Sequence, residues 1–163
     1  MKWQYPEVTL FYVTFRSVGS KVRLMSILHP RILCVEDDKD SCEMLTMLLR
    51  LAGPHYRVIS TGTAEHALER TGGESFDLYI LDAILPDMSG FDLCREIRML
   101  EPQSRIIFYT AAASENDRNK AEDAGADAFL VKPNDIDMLA ETVARLLNQA
   151  ARNSQTEQVG TVS

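Results

Sequence analysis

Leu78-Tyr79-Ile80-Leu81-Asp82 is the stretch that decides the fold. Four apolar residues, enough for a short strand, stop on a carboxylate. A loop punctuated by proline and glycine follows, Ala83-Ile84-Leu85-Pro86-Asp87-Met88-Ser89-Gly90. Three other runs have the same form. Ile32-Leu33-Cys34-Val35 leads into Glu36-Asp37-Asp38, Ile106-Ile107-Phe108-Tyr109 into Thr110, and Ala128-Phe129-Leu130-Val131 into Lys132-Pro133. Strands covered on both faces read as unbroken apolar runs. If these four are parallel neighbours, their carboxyl ends share one edge, and ligands of open α/β sheets bind outside that edge. Acids, a hydroxyl and an ammonium would then converge from remote parts of the chain.

The segments between the runs read as helices. Met44, Leu45, Leu48, Leu49 and Ala52 form one stripe, closed by Gly53-Pro54. Thr63 is a candidate N-cap for a short helix to Arg70, closed by Gly72-Gly73. Ser89 to Leu100 is apolar at Phe91, Leu93, Cys94, Ile97 and Leu100. Ser114 caps Glu115 to Ala124, which ends at Gly125, and Asp135 opens a last helix striped by Ile136, Leu139, Val143, Leu146 and Leu147. With a further strand at Tyr56 to Ser60, five strands alternate with five helices. Strict alternation implies a parallel sheet with helices on both faces and right-handed crossovers. The expected fold is α/β, a flavodoxin-like doubly wound (βα)5 sandwich with strand order 2-1-3-4-5.

The chain divides into an N-terminal extension, residues 1–29, a folded unit, 30–150, and a polar C-terminal tail, 151–163, expected to be disordered. Val8 to Phe15 is β-prone and aromatic, but too short to cross a bilayer and without the flanks of a secretory signal. A net charge of −7 argues against a nucleic-acid partner. Four bases and one acid give residues 1–30 a charge of +3, which leaves −10 for the rest. Cys34, Cys42 and Cys94 have no metal-binding or redox spacing and read as reduced, buried or half-buried thiols of a cytoplasmic protein. His29, His55 and His66 are scattered and carry no catalytic pattern.

Glu36, Asp37 and Asp82 place up to three carboxylates at one strand edge. Such crowding is costly unless a cation sits among them. Mg²⁺ is the natural cation, held by carboxylates and waters, with the backbone carbonyl of Ile84 as a further ligand. Asp82 is placed to act as a nucleophile toward phosphorus, giving an aspartyl phosphate. Lys132 can reach a phosphoryl oxygen as a point charge, and Thr110 can donate its hydroxyl to another. The competing reading of Glu36-Asp37-Asp38, a helix start favoured by the dipole, does not account for Asp82, Thr110 and Lys132 falling in register.

These motifs, together with Pro86, Gly90, Thr110-Ala111 and Lys132-Pro133, strongly resemble the receiver domain of two-component response regulators, of the stand-alone chemotaxis-regulator type. The resemblance runs from about Pro30 to Gln149. It implies that Glu36, Asp37 and Asp82 bind Mg²⁺ and that Asp82 accepts a phosphoryl group from a histidine kinase or histidine phosphotransfer protein. It implies that Thr110 and Lys132 sense that group, that Phe129 is the switch aromatic, and that the Lys132–Pro133 bond is cis. Phosphorylation is expected to draw Thr110 toward the phosphoryl group and turn Phe129 inward. A downstream protein would read the surface of the last helices and strand. Glu115 to Ala124 is too polar for a strong apolar dimer face, leaving room for a weak homodimer. No membrane or nucleic-acid partner is expected. The chain is a phosphoacceptor rather than an enzyme, although it could catalyse its own phosphorylation and dephosphorylation. The alternatives are a phosphorylation-independent interaction module and an aspartyl-nucleophile phosphatase; the latter usually needs a second Asp where this chain has Ile84.

Because the five-unit pattern is complete after Pro30, residues 1–29 should be dispensable for folding and phosphorylation. A chain begun at Met25 should melt at the temperature of the full chain. A large drop would show that the removed residues pack on the core.

Overall fold

The computed structural model describes residues 29–53 and 55–159, with side chains through Ala150. Five strands, β1 (Arg31–Val35), β2 (Arg57–Thr61), β3 (Leu78–Leu81), β4 (Arg105–Thr110) and β5 (Ala128–Val131), alternate with five helices. The helices are α1 (Lys39–Ala52), α2 (Ala64–Gly73), α3 (Gly90–Leu100), α4 (Glu115–Asp123) and α5 (Ile136–Val159). Every ladder is parallel and the order is β2-β1-β3-β4-β5, as expected from the sequence.

Side-chain alternation along the strands divides the core in two. Leu33, Val35, Leu81, Ile106 and Phe108 pack with Ala67 of α2, Leu93 and Ile97 of α3 and Ala121 of α4. Ile32, Cys34, Ile80, Ile107 and Tyr109 pack with Leu45 and Leu49 of α1 and Leu139, Val143 and Leu146 of α5. Cys34 and Cys94 are buried and Cys42 is half-buried, all three as free thiols. Asp38, Thr63, Ser89 and Ser114 each accept a backbone N–H as N-caps. Asp38 thus starts α1 six residues before the apolar stripe at Met44, because that first turn is polar and mostly exposed.

Three other boundaries differ from the sequence reading. β2 begins at Arg57 because its register is set by β1, with Arg31 opposite Arg57 and Val35 opposite Thr61, while Tyr56 turns back to the Gly53 carbonyl. α2 runs through Gly72 and Gly73 and stops at Glu74, whose carboxylate pairs with both Arg31 and Arg70. The stretch expected as a polar tail from residue 151 continues α5 as far as Val159. Residues 1–28 and 160–163 lie outside the described residues, and with them the Val8–Phe15 run and Met25.

Gly90 is the one glycine that the site geometry cannot replace. A Cβ there would stand 2.0 Å from the Asp82 carbonyl oxygen and 2.9 Å from the Ala83 Cα. The missing side chain lets α3 start directly against the turn that follows β3. Gly90→Ala should cost about 1–3 kcal/mol in urea unfolding, the range of overpacked cores; an unchanged midpoint would show that the turn relaxes freely.

Candidate functional site

The strand ladders continue one residue past the ends of β1, β3 and β5. Glu36 N–H donates to the Thr61 carbonyl (3.0 Å), Asp82 N–H to Val35 (3.0 Å) and Lys132 N–H to Thr110 (2.9 Å). The backbone therefore fixes the three charged residues before their side chains make any contact. Glu36 is 5% exposed, Asp82 9% and Thr110 0%. The peptide bond after Lys132 is cis, as the resemblance implied.

Their side chains meet. The Lys132 ammonium donates to Glu36 Oε2 and, at 2.6 Å, to Asp82 Oδ2. The other Asp82 oxygen, Oδ1, accepts from the Thr110 hydroxyl at 2.7 Å and from the Ile84 N–H at 3.0 Å. The remaining Glu36 oxygen accepts from Asp38 N–H at 3.2 Å. Burial pushes the Glu36 carboxyl upward, against the pull of its bond to Lys132. Burial alone would lower the Lys132 pKa, but its hydrogen bonds to Asp82 and Glu36 outweigh that and hold the ammonium above its ordinary range. One cation thus serves two carboxylates.

Four of the expected site residues, Glu36, Asp82, Thr110 and Lys132, thus form one bonded cluster. Asp37 is exposed and outside it. Ile84 meets Asp82 through its amide, and its side chain is exposed. Phe129 lies half-buried between the Phe108 ring, 6.2 Å away, and the Arg118 guanidinium, 4.9 Å from the ring centroid. In this structure Thr110 bonds Asp82, and the half-buried Phe129 stacks on Phe108. Among the described residues, no three His, Cys, Asp or Glu side chains form a ready-made metal cage, because Lys132 occupies the space between Glu36 and Asp82.

Two contributors escaped the sequence reading. Asp87, in the loop after Asp82, accepts from Ala64 N–H (3.0 Å) and Glu65 N–H (2.8 Å), tying that loop to the start of α2. Those backbone bonds hold its carboxyl below the usual range. Its only sequence signal was a second acid in a Pro/Gly loop. Tyr109 is buried, with Lys132 Nζ 5.6 Å from its ring centroid; its signal was an aromatic residue directly before Thr110.

Linkage sets the sign of the pH response. The Lys132 pKa is raised on folding, so its contribution is full below about 10.5 and is lost as pH rises through the folded value. Lys132→Met should be less stable than wild type by about 2 kcal/mol at pH 7. The gap should narrow above about pH 10.5, checked by urea unfolding at a series of pH values.

Comparison with known proteins follows the same outline. Residues 32–144 match the family model of the response regulator receiver domain. The response regulator ArlR of Staphylococcus epidermidis is 33% identical over 118 residues, which are 72% of this chain and 52% of that protein. The chain thus spans about half the length of that curated relative. A CheY-like receiver domain protein from Methanospirillum hungatei superposes with a TM-score of 0.72 at 31% identity, over 77% of this chain and 98% of that one. The response regulator TrrA of Thermotoga maritima, solved in complex with Mg²⁺ and BeF, gives 0.65 at 32% identity, over 72% and 98%. No described helix is long and apolar enough to cross a membrane. On the fold, the matched residues and these relatives, the chain belongs to the receiver-domain family of two-component response regulators.

Proposed function

We propose that this chain is a phosphorylation-dependent switch whose acceptor is Asp82. The observation that carries the reading is the Lys132 ammonium bonded to Asp82 and Glu36 together, with the Thr110 hydroxyl on the other Asp82 oxygen. A carboxylate serves as a nucleophile toward phosphorus when it is held, shielded from water, and faced by positive charge that offsets the incoming anion. Asp82 meets each condition. One of its oxygens forms the new bond to phosphorus as the donor's own bond to phosphorus breaks, and the donor's leaving atom keeps the electron pair. Lys132 then passes from the carboxylate to a phosphoryl oxygen, and Thr110 donates to another.

The donor set fits Mg²⁺, with hard carboxylate oxygens from Glu36, Asp37 and Asp82 and the carbonyl of Ile84 at one sheet edge. When bound, the ion offsets the charge that the carboxylates and the phosphoryl group bring together. The complex of the TrrA relative with Mg²⁺ and BeF supports this assignment. Glu36, Asp82 and Asp37 would hold the ion; Glu36 and Asp82 now bond Lys132, and Asp37 is exposed and unengaged, hence available.

The donor is a histidine kinase or histidine phosphotransfer protein, and the reaction takes place in the cytoplasm. Output passes through Thr110 and Phe129 to a protein partner at α4, β5 and α5. The phosphoryl group biases the balance of packings there only by the contacts it makes in one and not the other.

With a small acyl phosphate and Mg²⁺, intact-mass measurement should show one added phosphoryl group on the wild type and none on Asp82→Asn. Label on Asp37 or Asp38 in that variant would overturn the assignment, and an unmodified wild type would favour a phosphorylation-independent module. Asp37→Ala should fold normally and lose at least about tenfold in Mg²⁺ affinity, since losing even a supporting partner of a metal ligand costs about 10–100-fold; an unchanged affinity in a metal titration would remove Asp37 from the site.

A further inference from the structure

Two tyrosines head the fully buried side chains, and they differ in one respect. The Tyr79 hydroxyl donates to Glu101 Oε2 at 2.9 Å and lies 3.2 Å from the Thr71 hydroxyl. The Tyr109 hydroxyl is one of two buried side-chain polar atoms without a hydrogen-bond partner among the described residues. A buried, unpaired hydroxyl is unfavourable, and phenylalanine would fill the same space without it. The hydroxyl thus does not account for an aromatic residue at this position, and the ring must be considered by itself.

Lys132 supplies one. The two residues lie near each other across the β4–β5 ladder, where Tyr109 pairs with Leu130, Thr110 with Val131, and Lys132 N–H reaches the Thr110 carbonyl. The ammonium, with three donors, gives one to Glu36 and one to Asp82, and the Tyr109 ring centroid is 5.6 Å from the same nitrogen. That is within the range of a cation–π contact, which strengthens when desolvated. A lysine arm is flexible and loses substantial rotamer freedom when held. A third carboxylate would hold it but would add to the repulsion facing an incoming phosphoryl group. An aliphatic side chain would not attract it. An aromatic face attracts the cation without a counter-charge.

We propose that Tyr109 is a positioning residue whose ring holds the Lys132 ammonium at the mouth of the site. The inference rests on the reading of Asp82 as acceptor and Lys132 as its partner. The ring does the holding and the hydroxyl is dispensable to it.

The test uses Tyr109→Phe, Tyr109→Leu and, should the leucine variant fail to fold, Tyr109→Met. Phe76→Leu, a truncation of a buried ring far from the site, controls for lost stability. Phosphorylation rate is measured with a small acyl phosphate at saturating Mg²⁺. Tyr109→Phe should stay within about twofold of wild type, while Tyr109→Leu or Met should slow about fivefold, a typical cation–π contribution, and Phe76→Leu should not slow. In parallel, a double-mutant cycle with Lys132→Met is read as the ratio of unfolding constants in urea. It should show a coupling of about threefold or more with Tyr109→Leu or Met, and none with Tyr109→Phe. Equal rates for the Tyr109 truncations and Phe76→Leu, or an additive cycle, would overturn the proposal. If the wild type takes up no phosphoryl group, the acceptor reading fails and the cycle alone decides whether Tyr109 holds Lys132.

Discussion

The site depends on one ammonium shared by two carboxylates. Without Lys132, Glu36 and Asp82 would face each other at the sheet edge with little access to water, and like charges so placed oppose folding. With it, each carboxylate has a partner and Asp82 is fixed on both oxygens. The arrangement stores a capacity for exchange. Any group that replaces Lys132 between the acids must bring comparable positive charge, and any anion added to Asp82 gives Lys132 a new partner. The proposed function calls on both, a divalent cation and a phosphoryl group.

The parallel sheet makes that sharing possible. Each charged residue is the first beyond its strand, and each is held there by one more ladder bond. Because β1, β3, β4 and β5 are adjacent and point the same way, these residues fall within reach although they are far apart in sequence. The helices around the site contribute by what they lack as much as by contact. Gly90 lets α3 approach the turn after Asp82, and Asp87 binds that turn to the start of α2. The face at α4 is less buried: α4 buries little besides Ala121, and Arg118 covers Phe129 from outside.

Much of this was legible in the sequence because strands buried on both faces carry an unmistakable apolar signature, and the residue that ends each one is conspicuous. The alternation and the parallel sense follow from that pattern, and once the order 2-1-3-4-5 is chosen among doubly wound folds, so does the convergence of Glu36, Asp82, Thr110 and Lys132. What was not legible depends on phase at single-residue scale. Within Glu36-Asp37-Asp38, the first acid continues the β1 ladder, the second is exposed and the third caps α1; composition treats all three alike. Gly72-Gly73 reads as a stop beyond Arg70, yet both glycines belong to α2, which ends at Gly73 and is capped by Glu74, where ion pairs with Arg31 and Arg70 gather, one of them from a distant strand. Tyr109 read only as a core aromatic, since a sequence does not show which cation will lie over which ring.

The account stands or falls on whether Asp82, Thr110 and Lys132 respond as one unit to a phosphoryl-like group. Beryllofluoride titration followed by amide and lysine-ammonium NMR tests this directly. The account predicts shifts that require Mg²⁺, begin at Asp82, Thr110 and Lys132, and extend to Phe129 and α4. Shifts independent of Mg²⁺, or confined to residues away from the carboxyl edge of the sheet, would contradict it.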